Sequence, residues 1–186
     1  MLNRILHLIG PGGAGKSTVG NCIAQLRGWD LIDLDSHFLS AFGSIGQFIR
    51  DHGYIAYARA NVALYEQRMT SVPAFAVCAL SSGFMLYPDE LGDRYLALRK
   101  TIETDALTAL LLPSFALEQC VARIVERQLQ RAYLMPDRAR EEQKIRKRFP
   151  FFMQLQSRRF LSDGRPAEAV AVEILDTLSG SRHALM

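Results

Sequence analysis

The stretch RILHLIGPGGAGKSTVG, residues 4–20, decides the fold. Its opening residues form a short apolar run without helical spacing, as expected of a strand buried on both faces. Gly10, Gly15, Lys16 and Ser17 then satisfy G-x-x-x-x-G-K-[ST]. Beyond the lysine the spacing changes to threes and fours, with Val19, Cys22, Ile23 and Leu26 on one helical face and Gly28 placed to end it. A strand that turns through glycines into a helix points several backbone N–H groups at one spot and adds the positive end of the helix. The chemistry this suits is a phosphate chain. The spacing therefore predicts a nucleoside triphosphate held by Gly12, Gly13, Ala14, Gly15, Lys16, Ser17 and Thr18. Lys16 is expected on the β- and γ-phosphates, the Ser17 hydroxyl on Mg²⁺ and Thr18 on the α-phosphate.

Around this motif, 186 residues with 49% hydrophobic and 22% charged composition describe one globular domain, not a disordered or fibrous chain. No apolar run approaches the ~20 residues of a membrane-spanning helix, and the N-terminus lacks a cleavable signal pattern. Cys22, Cys78 and Cys120 are scattered and odd in number, which suits reduced core thiols in a cytoplasm better than a disulfide framework or a zinc site. The net charge is only +3, yet residues 123–159 carry eleven of the 22 Lys and Arg. That excess fits either a solvated helical face or a site for an anionic partner. No aromatic interleaving or motif points to nucleic acid.

Apolar runs alternate with helical periodicity along the chain, the pattern of an α/β domain with a parallel sheet. WDLID, AFAVCAL (introduced by Pro73) and ALTALLL (stopped by Pro113) read as further strands. Helices are expected between Ser44 and Gly53, from there to about Met69, in the segment opened by Pro88, after a Ser114 cap, from about Asp137, and between Pro166 and Gly180. His7, inside the first strand, reads as a core histidine. Phe149, Phe151 and Phe152 read as packing residues.

LIDLDSH places Asp33 and Asp35 at the end of the second strand, where two residues apart on an extended chain point the same way. Ligands bind at that carboxyl edge in such sheets. One carboxylate can then order Mg²⁺ and the other accept the proton of an attacking hydroxyl, although a pair of turn residues explains a bare D-x-D equally well.

With these residues in hand, the chain resembles the shikimate kinase family of small P-loop kinases. The likeness runs through GPGGAGKSTVG, DLD, GSIGQFIRDHG, RKRFPFF and DGRPAEAVAVEIL. It implies a three-layer α/β sandwich with about five parallel strands, helices on both faces and a small arginine-rich lid near 123–140, all in one domain spanning 1–186. It also implies ATP and Mg²⁺ as cofactors, Asp33 on the metal side, Arg131 as the lid arginine (with Ala132 in place of a proline), and Arg123 and Pro166 flanking the adenine. On the acceptor side it implies Asp35 at the reacting hydroxyl and Arg148 on a carboxylate. Lys16, Asp35 and Arg131 are the expected catalytic groups.

Three features depart from the family pattern. A Gly-Glu pair is Gly53-Tyr54 here, a Phe-Arg pair is Tyr57-Ala58 with Arg59 one position late, and a triple glycine is Ser81-Ser82-Gly83. One residue along a helix rotates a side chain by roughly 100°, so Arg59 replaces the missing arginine only if the helix also shifts. Ser82, Gly83 and Arg59 are nevertheless expected to line the acceptor pocket, and Tyr54 and Tyr57 add aromatic surface with polar tips. The expectation is ATP-dependent phosphorylation of a small carboxylate-bearing metabolite by a cytoplasmic monomer, with shikimate as the leading acceptor. The alternatives are a kinase for another acceptor and a non-catalytic nucleotide or metabolite sensor.

Overall fold

Five parallel strands, β1 (Arg4–Ile9), β2 (Asp30–Asp33), β3 (Phe75–Ala79), β4 (Thr108–Leu112) and β5 (Arg158–Leu161), pair in the order β2-β3-β1-β4-β5. The structure is a computed structural model and describes residues 4–72, 75–130 and 137–179. Pro73, Arg131, Ala132 and Gly180 lie outside the described residues. Between the strands run α1 (Lys16–Arg27), α2 (Leu34–Phe42), α3 (Ile45–His52), α4 (Tyr54–Met69), α5 (Asp93–Thr104), α6 (Leu117–Leu129), α7 (Arg138–Gln154) and α8 (Ala167–Ser179).

β1 is central because its sequence permits it. Leu6 to Ile9 are all buried, as is every residue of β4, and only a strand covered on both faces tolerates such runs. The register aligns Leu8 with Ala79 and with Ala109, so β1, β3 and β4 end at nearly the same level. The loops that follow them therefore open on one edge. From β1 the chain crosses to β2 and β3 on one side and only then to β4 on the other, which makes that edge the topological switch point.

Several expectations need correction. Asp33 and Asp35 do not sit on one extended segment: the chain turns into α2 at Leu34, and Asp33 becomes its N-cap, accepting from the Ser36 N–H at 2.9 Å. The apolar positions Leu34 and Phe38, one turn apart, bury this helix, and the capping aspartate opens it. Pro88 does not start α5. It precedes a short 3₁₀ turn, Asp89–Leu91, and α5 begins after Gly92, whose φ of +93° breaks the run. Ser114 does not cap α6. Its hydroxyl instead accepts from the Ala116 N–H, and Ala116 is the cap residue. Asp137 does cap α7, and that helix carries Pro150 in its interior. Phe149 and Phe152 are buried, whereas Phe151 is exposed.

Much of the basic excess is consumed within the fold. Arg146 grips Glu118 through two hydrogen bonds, Lys144 pairs with Glu141, Arg138 with Glu142, and Arg123 and Arg127 share Asp163. Cys22, Cys78 and Cys120 are free and buried, and burial pushes the Cys120 thiol up to about 11.

His7 is the core histidine expected of its strand position, its Nε2 hydrogen-bonded to the Tyr65 hydroxyl at 2.9 Å. Burial lowers its pKa to about 4. An unfolded chain takes up this proton below about 6.5, and the folded chain only near 4, so acid favours unfolding between those values. The wild type is expected to lose about 3 kcal/mol from this group alone as pH falls through that window. Urea titrations from pH 7 to pH 4 check this: the decline should be shallower in His7→Gln by about that amount.

Candidate active site

The glycine loop adopts the conformation its sequence demands. Gly10, Gly13 and Gly15 all have positive φ. A Cβ on Gly10 would stand 2.3 Å from the Leu111 carbonyl oxygen, so this position requires both the left-handed torsion and the absence of a side chain. Gly15 caps α1 and Lys16 opens it. The Lys16 ammonium folds over the loop and donates to the Gly10 and Pro11 carbonyls at 2.9 and 3.0 Å, while Ser17 and Thr18 stay exposed at the helix mouth. The loop thus surrounds a volume with N–H dipoles, a cation and two hydroxyls.

The far side of the loop is tied down by α6, a support that no sequence motif marks. Arg127 Nη1 donates to the Gly13 carbonyl at 3.0 Å, and Nη2 donates to Asp163 at 2.9 Å and to the Ser162 carbonyl at 3.4 Å. One guanidinium therefore joins the phosphate loop, α6 and the segment after β5. Next to it, the buried Gln128 reaches across the loop, and its Nε2 lies 2.5 Å from where a Cβ on Gly12 would be. Arg123 is exposed and pairs with Asp163 and Glu126, and Pro166 is exposed at the start of α8. A cavity of about 390 Å³ opens beside Arg123 and Asp163, lined also by Pro113, Ser114 and Leu161, but no phosphate-loop residue borders it.

The loop after β3 bridges the two halves of the site. Ser82 Cβ lies 3.8 Å from the Cβ position of Gly12. Tyr95 latches this loop, donating to the Phe84 carbonyl at 2.6 Å and accepting from the Tyr87 N–H at 3.1 Å. Beyond it, Tyr54, Tyr57 and Tyr87 pack ring against ring with centroids 5.9 to 6.0 Å apart. Tyr87 donates to Asn61 at 3.1 Å, and the Tyr57 hydroxyl neighbours those of Tyr87 and Ser81. Burial first and the Asp35 carboxylate second push the Tyr57 phenol up to about 12, so Asp35 lies within electrostatic reach of this cluster. Arg148 enters from α7, donating to the Tyr54 hydroxyl at 3.4 Å.

Of the residues expected at the acceptor, the fold brings Gly83 and Arg148 together at Tyr54, with Asp35 within electrostatic reach of Tyr57 and Ser82 on the side of the phosphate loop. Arg59 is not among them. It is exposed, while Ala58, one residue earlier, is fully buried, as the helical rotation requires. Asp33 presents one oxygen to Ser36, and its second oxygen makes no hydrogen bond among the described residues. A carboxylate oxygen, a serine hydroxyl and phosphate oxygens form the hard donor set that Mg²⁺ prefers, so the residues fit that ion.

The family model described as shikimate kinase matches residues 12–179. The chain belongs to the shikimate kinase family. Members of this family are ATP-dependent kinases that work with Mg²⁺. The fold is also that of solved shikimate kinases. The enzyme from Acinetobacter baumannii in complex with shikimate superposes with a TM-score of 0.72 at 22% identity, covering 97% of this chain and 96% of that one. The shikimate kinase from Aquifex aeolicus gives 0.62 at 21% identity over 96% and 98%. A curated relative, the pentafunctional AROM polypeptide of Clavispora lusitaniae, is 30% identical over 83 residues, 45% of this chain. The chain spans only about 5% of the length of that polypeptide.

If Arg127 holds the phosphate loop in its binding geometry, Arg127→Ala should weaken MgADP binding about five- to tenfold, on the order of 1 kcal/mol for lost loop order. Asp163→Asn should do so less, because the Gly13 contact survives. Calorimetric titration of the two variants against wild type measures both effects.

Proposed function

We propose that this chain transfers the γ-phosphoryl group of ATP to a hydroxyl of a small, carboxylate-bearing metabolite, with shikimate the leading acceptor. The observation that carries the reading is the joining of two half-sites. A phosphate loop lies next to the loop after β3, where Ser82 approaches Gly12, and through it faces a cluster that carries a guanidinium at Arg148 and lies within electrostatic reach of the Asp35 carboxylate.

In this reading Gly12, Gly13, Ala14, Gly15 and Thr18 cradle the phosphates through backbone and hydroxyl donors, and Lys16 exchanges its carbonyl partners for phosphate oxygens. Ser17 and Asp33 would hold Mg²⁺, which would neutralise charge on the β- and γ-phosphates. The acceptor oxygen forms its bond to the γ-phosphorus as the bond to the β–γ bridging oxygen breaks, with ADP as the leaving group. Asp35, exposed in the first turn of α2, takes the hydroxyl proton. Arg148 binds the acceptor's acid group and fixes which hydroxyl faces the phosphate. Arg123 and Pro166 flank the adenine, and Arg131 covers the transferring phosphoryl group from the lid. These two roles rest on the family resemblance.

A second reading, a kinase for a different hydroxy compound, is favoured by one pair of observations: Ala58 is buried where the family pattern has arginine, and Arg59 faces solvent. Under either reading the chain acts as one domain and a monomer in the cytoplasm, with no membrane or nucleic-acid partner. The buried free thiols accord with a reducing compartment, and among the described residues no helix is long and apolar enough to cross a membrane.

Coupled measurement of ADP release with MgATP and a panel of hydroxy acids headed by shikimate tests the proposal. One acceptor should stimulate turnover saturably. Asp35→Asn should lower kcat at least about 100-fold while leaving MgADP affinity unchanged. Full activity in Asp35→Asn removes the carboxylate from the mechanism. Stimulation by an acceptor other than shikimate selects the second reading.

A further inference from the structure

The most informative unassigned group is Tyr54, at the first position of α4. Its phenol oxygen accepts from Arg148 Nη2 at 3.4 Å, and no described residue accepts the phenol proton in turn. Burial raises its pKa and the Arg148 guanidinium partly offsets this, so the phenol keeps its proton at neutral pH. Arg148 is incomplete in a complementary sense. It is partly buried, yet among the described residues it pairs with no carboxylate, whereas Arg123, Arg127, Arg138 and Arg146 on α6 and α7 each do.

These two groups converge on one point. The position a Cβ on Gly83 would take is 2.7 Å from the Tyr54 hydroxyl oxygen and 3.7 Å from Arg148 Nη2. A cation with no anion and an O–H with no acceptor, among the described residues, thus meet where Gly83 has no side chain to hold them apart. An acceptor from Arg148 that also donates onward is polarised by the cation, which strengthens its own bond to a charged oxygen.

We propose that Tyr54 is an acceptor-binding, specificity-determining residue, whose hydroxyl and the Arg148 guanidinium together hold one carboxylate of the acceptor over Gly83. This rests on the phosphotransferase reading above. The subsite supplies one positive charge and one neutral donor, and so it fits a monocarboxylate. Tyr57 and Tyr87 are themselves buried and back the half-buried Tyr54 ring, which is the aromatic face left for the body of a small hydroxy acid.

The test uses the full chain with MgATP and compares a panel of hydroxy acids, shikimate first, with their methyl esters, which keep the hydroxyls and lose the charge. The wild type should prefer the acid. Tyr54→Phe keeps the ring packed against Tyr57 and Tyr87, so its melting temperature should match wild type. It should raise KM for the acid about tenfold, with kcat within about twofold and KM for ATP unchanged. It should penalise the already weaker ester less, because a hydroxyl bonds an ester carbonyl more weakly than a carboxylate. Equal KM values for the acid in the two proteins overturn the assignment and leave the kinase reading standing. So does an equal penalty on acid and ester, which would mark a packing role. A wild type that prefers the neutral esters removes the carboxylate subsite altogether. A wild type that phosphorylates no member of either series defeats the underlying reading and the assignment with it.

Discussion

The chemistry of this protein depends on a single close approach of two backbones. Gly10 leaves β1 with φ +138°, and its Cα faces the Leu111 carbonyl so closely that a Cβ would lie 2.3 Å from the oxygen. Only glycine fits, and the approach fixes where the phosphate loop leaves the sheet. β1 is held between β3 and β4, so the loop emerges at the switch point, with the loop after β3 on one flank and α6 on the other. Lys16 then closes over its own loop, and Arg127 pins the opposite wall to Asp163. A cation, a helix N-terminus and a set of N–H groups are held ready for anionic oxygen before any ligand arrives. For phosphoryl transfer, where positioning and electrostatics supply most of the catalysis, this preorganisation is the main contribution of the fold.

The acceptor side proposed above is built on a different principle. Its charges are few, the Asp35 carboxylate and the Arg148 guanidinium, and with them come the neutral hydroxyls of Tyr54, Tyr57 and Tyr87. The departures from the family pattern are mutually consistent. Where an arginine is expected the chain has the buried Ala58, and the adjoining space is filled by tyrosine rings that pack on one another and on the loop latched by Tyr95. An acceptor site of this kind would rely on shape and directional hydrogen bonds more than on net charge, so its selectivity should be decided by which hydroxyls and which acid group a ligand can present together.

Much of this was legible in the sequence, for identifiable reasons. The glycine–lysine spacing marked the phosphate loop because the chemistry tolerates no other arrangement, and β1, β3 and β4 stood out because strands buried on both faces must be continuously apolar. Less visible was α2. Leu34 and Phe38 are too few to announce a helix, and a D-x-D pattern suits an extended chain as well as it suits a strand end at which Asp33 caps the next helix. β5, with only Phe160 buried, carries no strand signal at all. The Arg127 strap and the convergence of Tyr54 with Arg148 were invisible for a more general reason. Both join residues about a hundred positions apart, and nothing in local spacing records such a contact.

The central claim is that phosphate passes to a bound hydroxyl and not to water. Phosphorus NMR of MgATP with the protein and shikimate or another hydroxy acid of the panel tests it most directly. A new phosphomonoester resonance should grow in step with ADP and be absent when the acceptor is left out. Inorganic phosphate as the sole product with every acceptor, or no consumption of ATP, would contradict that claim.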